Sequence, residues 1–406
     1  MSPPASLRNL TVEEARDRML ADAGPLGVET VAIGETLGRT LAGAIDATRD
    51  QPPFAASAMD GWAIRSADYV PEASFTIAGE SAAGRAYPHI VGPGEAVRIF
   101  TGAPVPAGAD LVIIQEEAQR DGQTVCFAAG DAPRPHIRPA GGDFRTGDRL
   151  IEAGARLDPW RLSLAAAAGR ATLEVARRPR VAILATGDEL VQPGGDPGPD
   201  QIFESGSIAL AALVETWGGS AVRLTAAADR LEAIADAVAS VEADLIVTIG
   251  GASVGDHDLV KPALERLGLI LRVETVAIRP GKPTWFGTLN DGRRVLGLPG
   301  NPASALVCAE LFLRPLLAAL TGREALPAMT VAALAAPLPA NGPREHWMRA
   351  ALSIDAEGRA VVSAFPDQDS SLVTVFSRAD ALIRRPVNAP AAPAGDRVDV
   401  LKLARG

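Results

Sequence analysis

Between residues 179 and 325 short apolar runs alternate with amphipathic stretches, and this alternation constrains the fold more than any other feature of the chain. The run RVAILA passes into the polar TGDEL; SIALAALVETWGG then reads as a helix stopped by two glycines. SAVRLTAAAD, DLIVTIGG, ILRVETVAIRPGKP and RVLGLPGNP each read as a strand leading into a loop. RLEAIADAVASVEA, DLVKPALERLG and ASALVCAELFLRPLLAAL read as the helices between and after them. Strand followed by helix, repeated, predicts an α/β domain with a mostly parallel sheet.

The flanks are different. Thr11 with Glu14 forms a capping-box pattern that opens a helix. From about 74 to 141 the runs FTIAGE, EAVRIFTG, DLVIIQEE and QTVCFAAG, separated by Gly, Pro and Asp turns, predict a small β-rich module. Asp158 and Pro159 read as N-cap and first residue of a helix that ends near Gly169. After 327 the helical period fades and TVAALAAPL, EHWMRAAL, AVVSAF, ADALIRRP and RVDVLKL predict a closing barrel-like β domain.

Composition excludes several functions. The net charge is −10, and the densest basic run, Arg177–Arg180, reads as a solvated strand entrance, so no nucleic-acid partner is expected. No apolar run approaches the ~20 residues of a bilayer span and the N-terminus lacks a signal-peptide core, so the expectation is a cytoplasmic protein without a membrane partner. Cys126 and Cys308 make no metal-binding pair, and His89, His136, His257 and His346 show no ligand spacing. A metal would be a hard cation held by carboxylates. Only three lysines occur, and Lys282 lies in a glycine-rich loop.

In an open parallel sheet the loops at the strand carboxyl ends line one rim. That places Asp188, Glu189, Asp229, Asp256, Asp258, Arg279, Lys282 and Asn301 as candidates for one crevice. Gly250, Gly251, Gly255, Gly281 and Gly300 allow close backbone approach there. Asn301-Pro302 reads as a helix start, which presents free N–H groups to an anion. Cations and donors beside several carboxylates suit a phosphorylated or nucleotide-like ligand with Mg²⁺. No Walker A, GxGxxG or GxSxG pattern is present in this block.

SAMDGWAIR, RIFTGAPVPAGAD, RPRVAILATGDELV, GGASVGDHD, AIRPGKP and GLPGNPASA occur in this order along the chain. In this the sequence resembles the molybdopterin molybdenumtransferase family, the MoeA type that includes the gephyrin E domain. The resemblance spans essentially the whole chain. It implies a helical and extended linking domain (1–50 and 142–178), an inserted β-rich module (51–141), an α/β molybdopterin-binding domain (179–326) and a C-terminal β-barrel (327–406). It implies a homodimer with the active site between protomers. The implied reaction inserts molybdate into the dithiolene of adenylylated molybdopterin, with Mg²⁺ and release of AMP. Carried over by motif, Asp60, Thr101, Glu189, Asp229, Asp258 and Lys282 are the catalytic set, with Asp60, Glu189, Asp229 and Asp258 as metal ligands. Thr186, Gly187, Asp188, Gly250, Gly251, Ser253, Gly255, Arg279, Pro299, Asn301, Pro302 and Arg349 are the implied substrate contacts, and Asp143 is a further equivalent. A molybdopterin adenylyltransferase and apo-molybdoenzymes are the implied protein partners.

Three departures stand out. Gly142 replaces an acid, Glu204-Ser205-Gly206 replaces an Asp-Ser-Asn type triplet, and QDSSLVTVFSRADALI replaces a serine- and glycine-rich segment. The lost Asn predicts a missing ligand or capping contact. The alternative reading is an inactive or moonlighting paralogue, a dimeric scaffold for ligands or peptides in the manner of gephyrin. Retention of Glu189, Asp229 and Asp258 argues for the enzyme. A third reading, adenylylation of molybdopterin, would not require the flanking β modules.

Overall fold

Helix α1, Val12–Leu20, starts where its capping box requires: Glu14 N donates to Thr11 Oγ1 (3.1 Å) and Thr11 N donates to Glu14 Oε2 (2.9 Å). The structure is a computed structural model that describes residues 6–128, 134–224, 230–250, 259–324 and 329–403. The chain forms two units, Met1–Ala42 with Gly154–Leu157 and Leu173–Gly406, and Gly43–Ala153 with Asp158–Thr172.

In the first unit β1 (Arg180–Ala185), β2 (Ser220–Arg223), β3 (Leu245–Ile249), β4 (Ile270–Val273), β5 (Trp285–Thr288) and β6 (Arg294–Leu298) form one sheet, ordered β2-β1-β3-β6-β5-β4. β2, β1, β3 and β6 are parallel; β5 runs antiparallel to β6 and to β4. Both faces of the sheet are covered, which explains the unbroken apolar runs. Val181, Ile183, Leu245, Val247, Leu296 and Leu298 face one core with α1, α2 (Gly206–Thr216) and α5 (Pro302–Cys308). Ala182, Leu184, Ile246 and Val295 face the other, with α3 (Leu231–Ser240) and α4 (Val260–Glu265).

Two expectations need correction here. ILRVETVAI is not one strand: β4 ends at Val273, and Ile278–Arg279 pairs instead with Glu345–His346. Strand β5, WFGT, is not among the strands expected from sequence; it forms a hairpin with β6 through Asn290-Asp291-Gly292, where Gly292 has φ +86°. An Asp-Gly pair after aromatic and β-branched residues is the signal that marks it. The last helix is also not uniform. After α5 a π turn, Ala309–Leu313, precedes the helix Arg314–Leu320, and Pro315 lacks the N–H that regular α pairing would use. By length and composition Pro302–Leu320 could cross a membrane (19 residues, mean hydropathy 1.7), but its 18-residue apolar window is 89% buried inside the fold.

The basic run at 177–180 is not merely solvated. Arg177 pairs with Asp244 (2.8 Å), Arg178 with Glu215 (3.6 Å) and Arg180 with Glu242 (3.0 Å).

The C-terminal strands β7 (Met329–Leu334), β8 (Glu345–Ile354), β9 (Ala360–Ala364), β10 (Ala381–Arg385) and β11 (Arg397–Lys402) run in the order β8-β9-β7-β11-β10, and β8 pairs with β10 to close a five-stranded barrel. Leu334, Ala350, Val362, Ile383 and Val400 help to fill it. Closure leaves no free edge to pair with another chain.

The second unit holds a six-stranded sheet in the order Leu111–Ile114, Gly61–Ile64, Glu95–Ile99, Ser74–Ser81, Thr124–Phe127, Ala118–Asp121. Trp62, Ile64, Phe75, Val125 and Phe127 form its core. Its helix Pro159–Ala167 has Asp158 as N-cap, accepting from Arg161 N at 2.8 Å.

Candidate active-site crevice

The polar segments at the carboxyl ends of β1, β3 and β6 meet in the first unit at a crevice of about 1290 Å³. Close backbone approach builds its floor. Gly250 has φ +91°, and a Cβ there would lie 2.7 Å from the Thr186 carbonyl oxygen. Gly300 lies against it, its Cβ position 3.5 Å from Gly250 Cα. Gly187 has φ +147°, and the Glu189 carboxylate folds over it, 2.5 Å from where a Cβ would stand. Glu189 is exposed and has no cationic partner among the described residues. Pro299, Asn301 and Pro302 complete this side at the start of α5.

Arg279 and Lys282 reach the crevice from a loop held from beneath. Gly281 has φ +110°, and a Cβ on it would collide with Cys308 Sγ at 2.2 Å. Thr284 Oγ1 donates to Gly281 O (2.8 Å) and lies 3.1 Å from Cys308 Sγ. Helix α5 therefore seats the lysine loop while its first turn lines the same crevice. Burial pushes the Cys308 thiol up to about 12.

A loop after β9, with Gln368, Asp369, Ser370 and Ser371, forms the opposite wall. Arg349, wholly buried, donates its N–H to Gln368 Oε1 (2.9 Å) and Nη1 to Asp369 O (2.9 Å). Gln368 Nε2 returns bonds to Arg349 O and Phe365 O. Arg349 thus stands behind this wall and holds it. Asp369 Oδ1 accepts from Ser371 N and Oγ, which holds its carboxyl below the usual range. Asn301 is the α5 N-cap residue, but its amide makes no cap bond; Nδ2 donates to Ser370 Oγ (2.8 Å) and ties the two walls together.

The glutamate of the departing triplet has a local structural role. Glu204 is buried and accepts from Ser207 N and Oγ, both 2.6 Å, and it pairs with Arg223 (3.4 Å). Glu204, the residue before the N-cap, gives the first turn of α2 an acceptor, while the N-cap residue Ser205 makes no side-chain cap bond. Gly206 takes no part in that contact.

The charge pattern is uneven. Glu274 is neutralised by Arg8 (2.5 Å), and Glu204 by Arg223. Arg279, Lys282 and Arg344 line the crevice without a carboxylate partner among the described residues. Such an array suits an anion.

Of the residues singled out from sequence, Thr186, Gly187, Glu189, Gly250, Arg279, Lys282, Pro299, Asn301 and Pro302 line this crevice. Asp188 is exposed on the turn but is not part of the lining. Asp229, Gly251, Ser253, Gly255, Asp256, His257 and Asp258 lie outside the described residues. Among the described residues no group of three or more His, Cys, Asp and Glu could hold a metal ion. Sequence reasoning missed Arg8, Asn9, Phe203, Thr275, Ser304 and Arg344. Arg8 and Asn9 arrive through pairing across 266 residues, with Asn9 N donating to Thr275 Oγ1 (2.8 Å), and no local signal marks that.

Asp60 and Thr101 belong to the second unit. Thr101 N and Oγ1 both donate to Asp60 Oδ1 at 2.8 Å, and these bonds lower the carboxyl pKa. Gly61 is required beside them, because a Cβ would stand 1.9 Å from Ile113 O. Arg98 lies over the rings of Phe100 (4.8 Å) and Trp62 (5.5 Å) and donates to Gly61 O. Asp143, also in this unit, is exposed.

Three family descriptions match in tandem: the MoeA N-terminal region (domain I and II) over residues 10–169, a probable molybdopterin binding domain over 182–319, and the MoeA C-terminal region (domain IV) over 331–403. The chain is 35% identical over 382 residues to a molybdopterin molybdenumtransferase of Haemophilus influenzae, covering 92% of this chain and 94% of the relative. It is 36% identical over 392 residues to molybdopterin molybdenumtransferase 2 of Mycobacterium tuberculosis, covering 92% and 95%. The crystal structure of the molybdopterin biosynthesis MoeA protein from Pyrococcus horikosii superimposes with a TM-score of 0.83 at 30% identity, covering 98% of this chain and 100% of that one.

Proposed function

The chain belongs to the MoeA-type molybdopterin molybdenumtransferase family and is a transferase of molybdenum cofactor biosynthesis; on that premise we propose that its crevice binds adenylylated molybdopterin and molybdate, and that the reaction inserts the metal into the dithiolene with release of AMP. The observation that carries this reading is the set Arg279, Lys282 and Arg344, which line the crevice with no carboxylate partner among the described residues. A polyanionic substrate supplies the missing charge. Backbone N–H groups at the start of α5 add donors of the kind that favour phosphate.

The chemistry then follows from the chain's own groups. Lys282, a compact ammonium, offsets charge on the phosphoanhydride or on molybdate as it enters. Arg279 and Arg344 orient oxyanions through fixed donor pairs. The Arg349–Gln368 pair keeps the Asp369–Ser371 wall in register with Asn301. Glu189, an exposed carboxylate with no cation beside it, fits a hard divalent cation. We assign it to Mg²⁺ with Asp229, Asp258 and Asp60, as the family resemblance implies. When bound, Mg²⁺ would offset phosphoanhydride charge and favour AMP as leaving group. We place Asp60 and Thr101 in the same reaction through a homodimer, and the protein in the cytoplasm.

The test is AMP release from adenylylated molybdopterin, with and without molybdate and Mg²⁺, comparing wild type with Glu189→Gln. Release that needs both additions and falls at least a hundredfold in the variant is expected. Tight binding without AMP release under any condition would replace the enzyme by a scaffold.

A further inference from the structure

Beside its cationic residues the crevice is lined by apolar ones, among them Leu190, Ile202, Phe203 and Val373. Phe203 is the single aromatic side chain among the described lining residues. It is 49% exposed, and Ile202 beside it is 59% exposed. The chain has only 10 phenylalanines, and 4% of its residues are aromatic, so a half-bare ring at the mouth of a polar crevice needs a reason.

The local structure anchors the backbone that carries that ring. Leu190–Val191 and Ile202–Phe203 form a short parallel ribbon. Ile202 N donates to Glu189 O and Glu204 N donates to Val191 O, both 2.8 Å. Phe203 therefore sits between two anchored residues, Ile202 bonded to the Glu189 carbonyl and Glu204 buried beneath the first turn of α2. An anchored backbone leaves only the side-chain rotamer to be ordered on binding.

We propose that Phe203 is a specificity-determining residue, a stacking platform for the planar heteroaromatic ring of a ligand whose oxyanions lie against Arg279, Lys282 and Arg344. This rests on the substrate reading above, and a substrate with both a pterin and an adenine offers two rings of the required chemistry. The platform discriminates for ring-bearing ligands over small oxyanions, which the cations alone would not do.

The experiment compares wild type with Phe203→Ala, Phe203→Leu and Phe203→Tyr. Turnover is read as KM and kcat for adenylylated molybdopterin. Equilibrium binding of AMP and of 6-hydroxymethylpterin is measured separately, without turnover, and solution mass is measured by sedimentation. Aromatic–base stacking lost to alanine predicts about a tenfold rise in KM for Phe203→Ala with kcat within about twofold. Phe203→Tyr should restore KM, and Phe203→Leu should not. The probe whose affinity falls by the same factor identifies the stacked ring. Unchanged KM and unchanged binding of both probes in Phe203→Ala would overturn the proposal, as would full rescue by leucine. A changed solution mass with unchanged binding would overturn it too and make the patch a contact with a second copy. If wild type releases no AMP, the substrate reading fails, while loss of AMP or pterin binding in Phe203→Ala still supports the platform.

Discussion

Single residues here do work that their surroundings define. Glu204 occupies a position where the family pattern has Asp, two residues before a glycine that replaces Asn, and sequence comparison alone suggested a defect. The longer carboxylate reaches Ser207 and Arg223 instead. Removing this buried carboxylate takes the acceptor from Ser207 N and Oγ and the charge partner from Arg223, which keeps its bonds to Ser207 Oγ and Gln192, so Glu204→Ala should cost about 3 kcal/mol, measurable by urea unfolding. His346 is a second case. Burial, then the nearby Arg279, Arg349, Arg344 and Arg385, push its pKa down to about 4. The folded state keeps it neutral, while the unfolded chain takes up a proton below about 6.5. Stability is therefore intact above pH 6.5 and is lost as pH falls toward 4, by up to about 3 kcal/mol. His346→Gln should flatten that part of the pH–stability curve; an unchanged slope would show that other groups set it. The two cysteines should also differ. Cys308 is wholly buried with its thiol raised to about 12, whereas Cys126 is half-buried. Alkylation of the native protein near pH 8 should modify Cys126 and leave Cys308 untouched until the chain is unfolded, as mass spectrometry would show.

At the scale of elements, the crevice is made by glycines that let strands and helices touch. Gly281 packs on Cys308 of α5, and Gly250 packs on the Thr186 carbonyl. Both have positive φ, so a side chain would add backbone strain to the collision. Gly281→Ala should displace the loop bearing Lys282 and raise KM about tenfold or more, with the melting temperature lowered by only a few degrees, since a 1 Å misplacement can cost about a hundredfold in rate. Equal KM in the variant and wild type would mean that the loop is not positioned by α5. The glycines were legible as permissive sites, because loops of this composition signal close approach. Their partners were not. Nothing near Gly281 in sequence indicates that a residue 27 positions later on a helix would lie beneath it. The hairpin β5–β6 shows the converse, since its aromatic run and Asp-Gly turn are local signals.

For the whole molecule, the net charge of −10 has the same sign as the polyanionic substrate proposed above. Binding then depends on a local cationic array rather than on the overall field, and charges more than about 10 Å apart are screened at 0.1 M salt. KM for adenylylated molybdopterin should rise as salt is increased from about 0.05 to 0.5 M, because the attraction within the crevice is partly exposed to solvent. A fall in KM with salt would mean that long-range repulsion governs encounter instead.

Much of this was readable from the chain alone. Strand–helix alternation, the capping box at Thr11, the β-rich flanks and the polar segments at strand ends are short-range patterns, and local chemistry sets them. They were enough to predict a mostly parallel sheet, a terminal barrel and a common rim for Glu189, Arg279, Lys282 and Asn301. What the tertiary structure decided was everything that depends on distant segments meeting. Arg8 and Asn9 reach the crevice by pairing with Glu274 and Thr275, and the barrel loop reaches it through Arg349, Gln368 and the Asn301–Ser370 bond. Sheet pairing and barrel closure bring these groups together, and no local preference encodes the resulting distances.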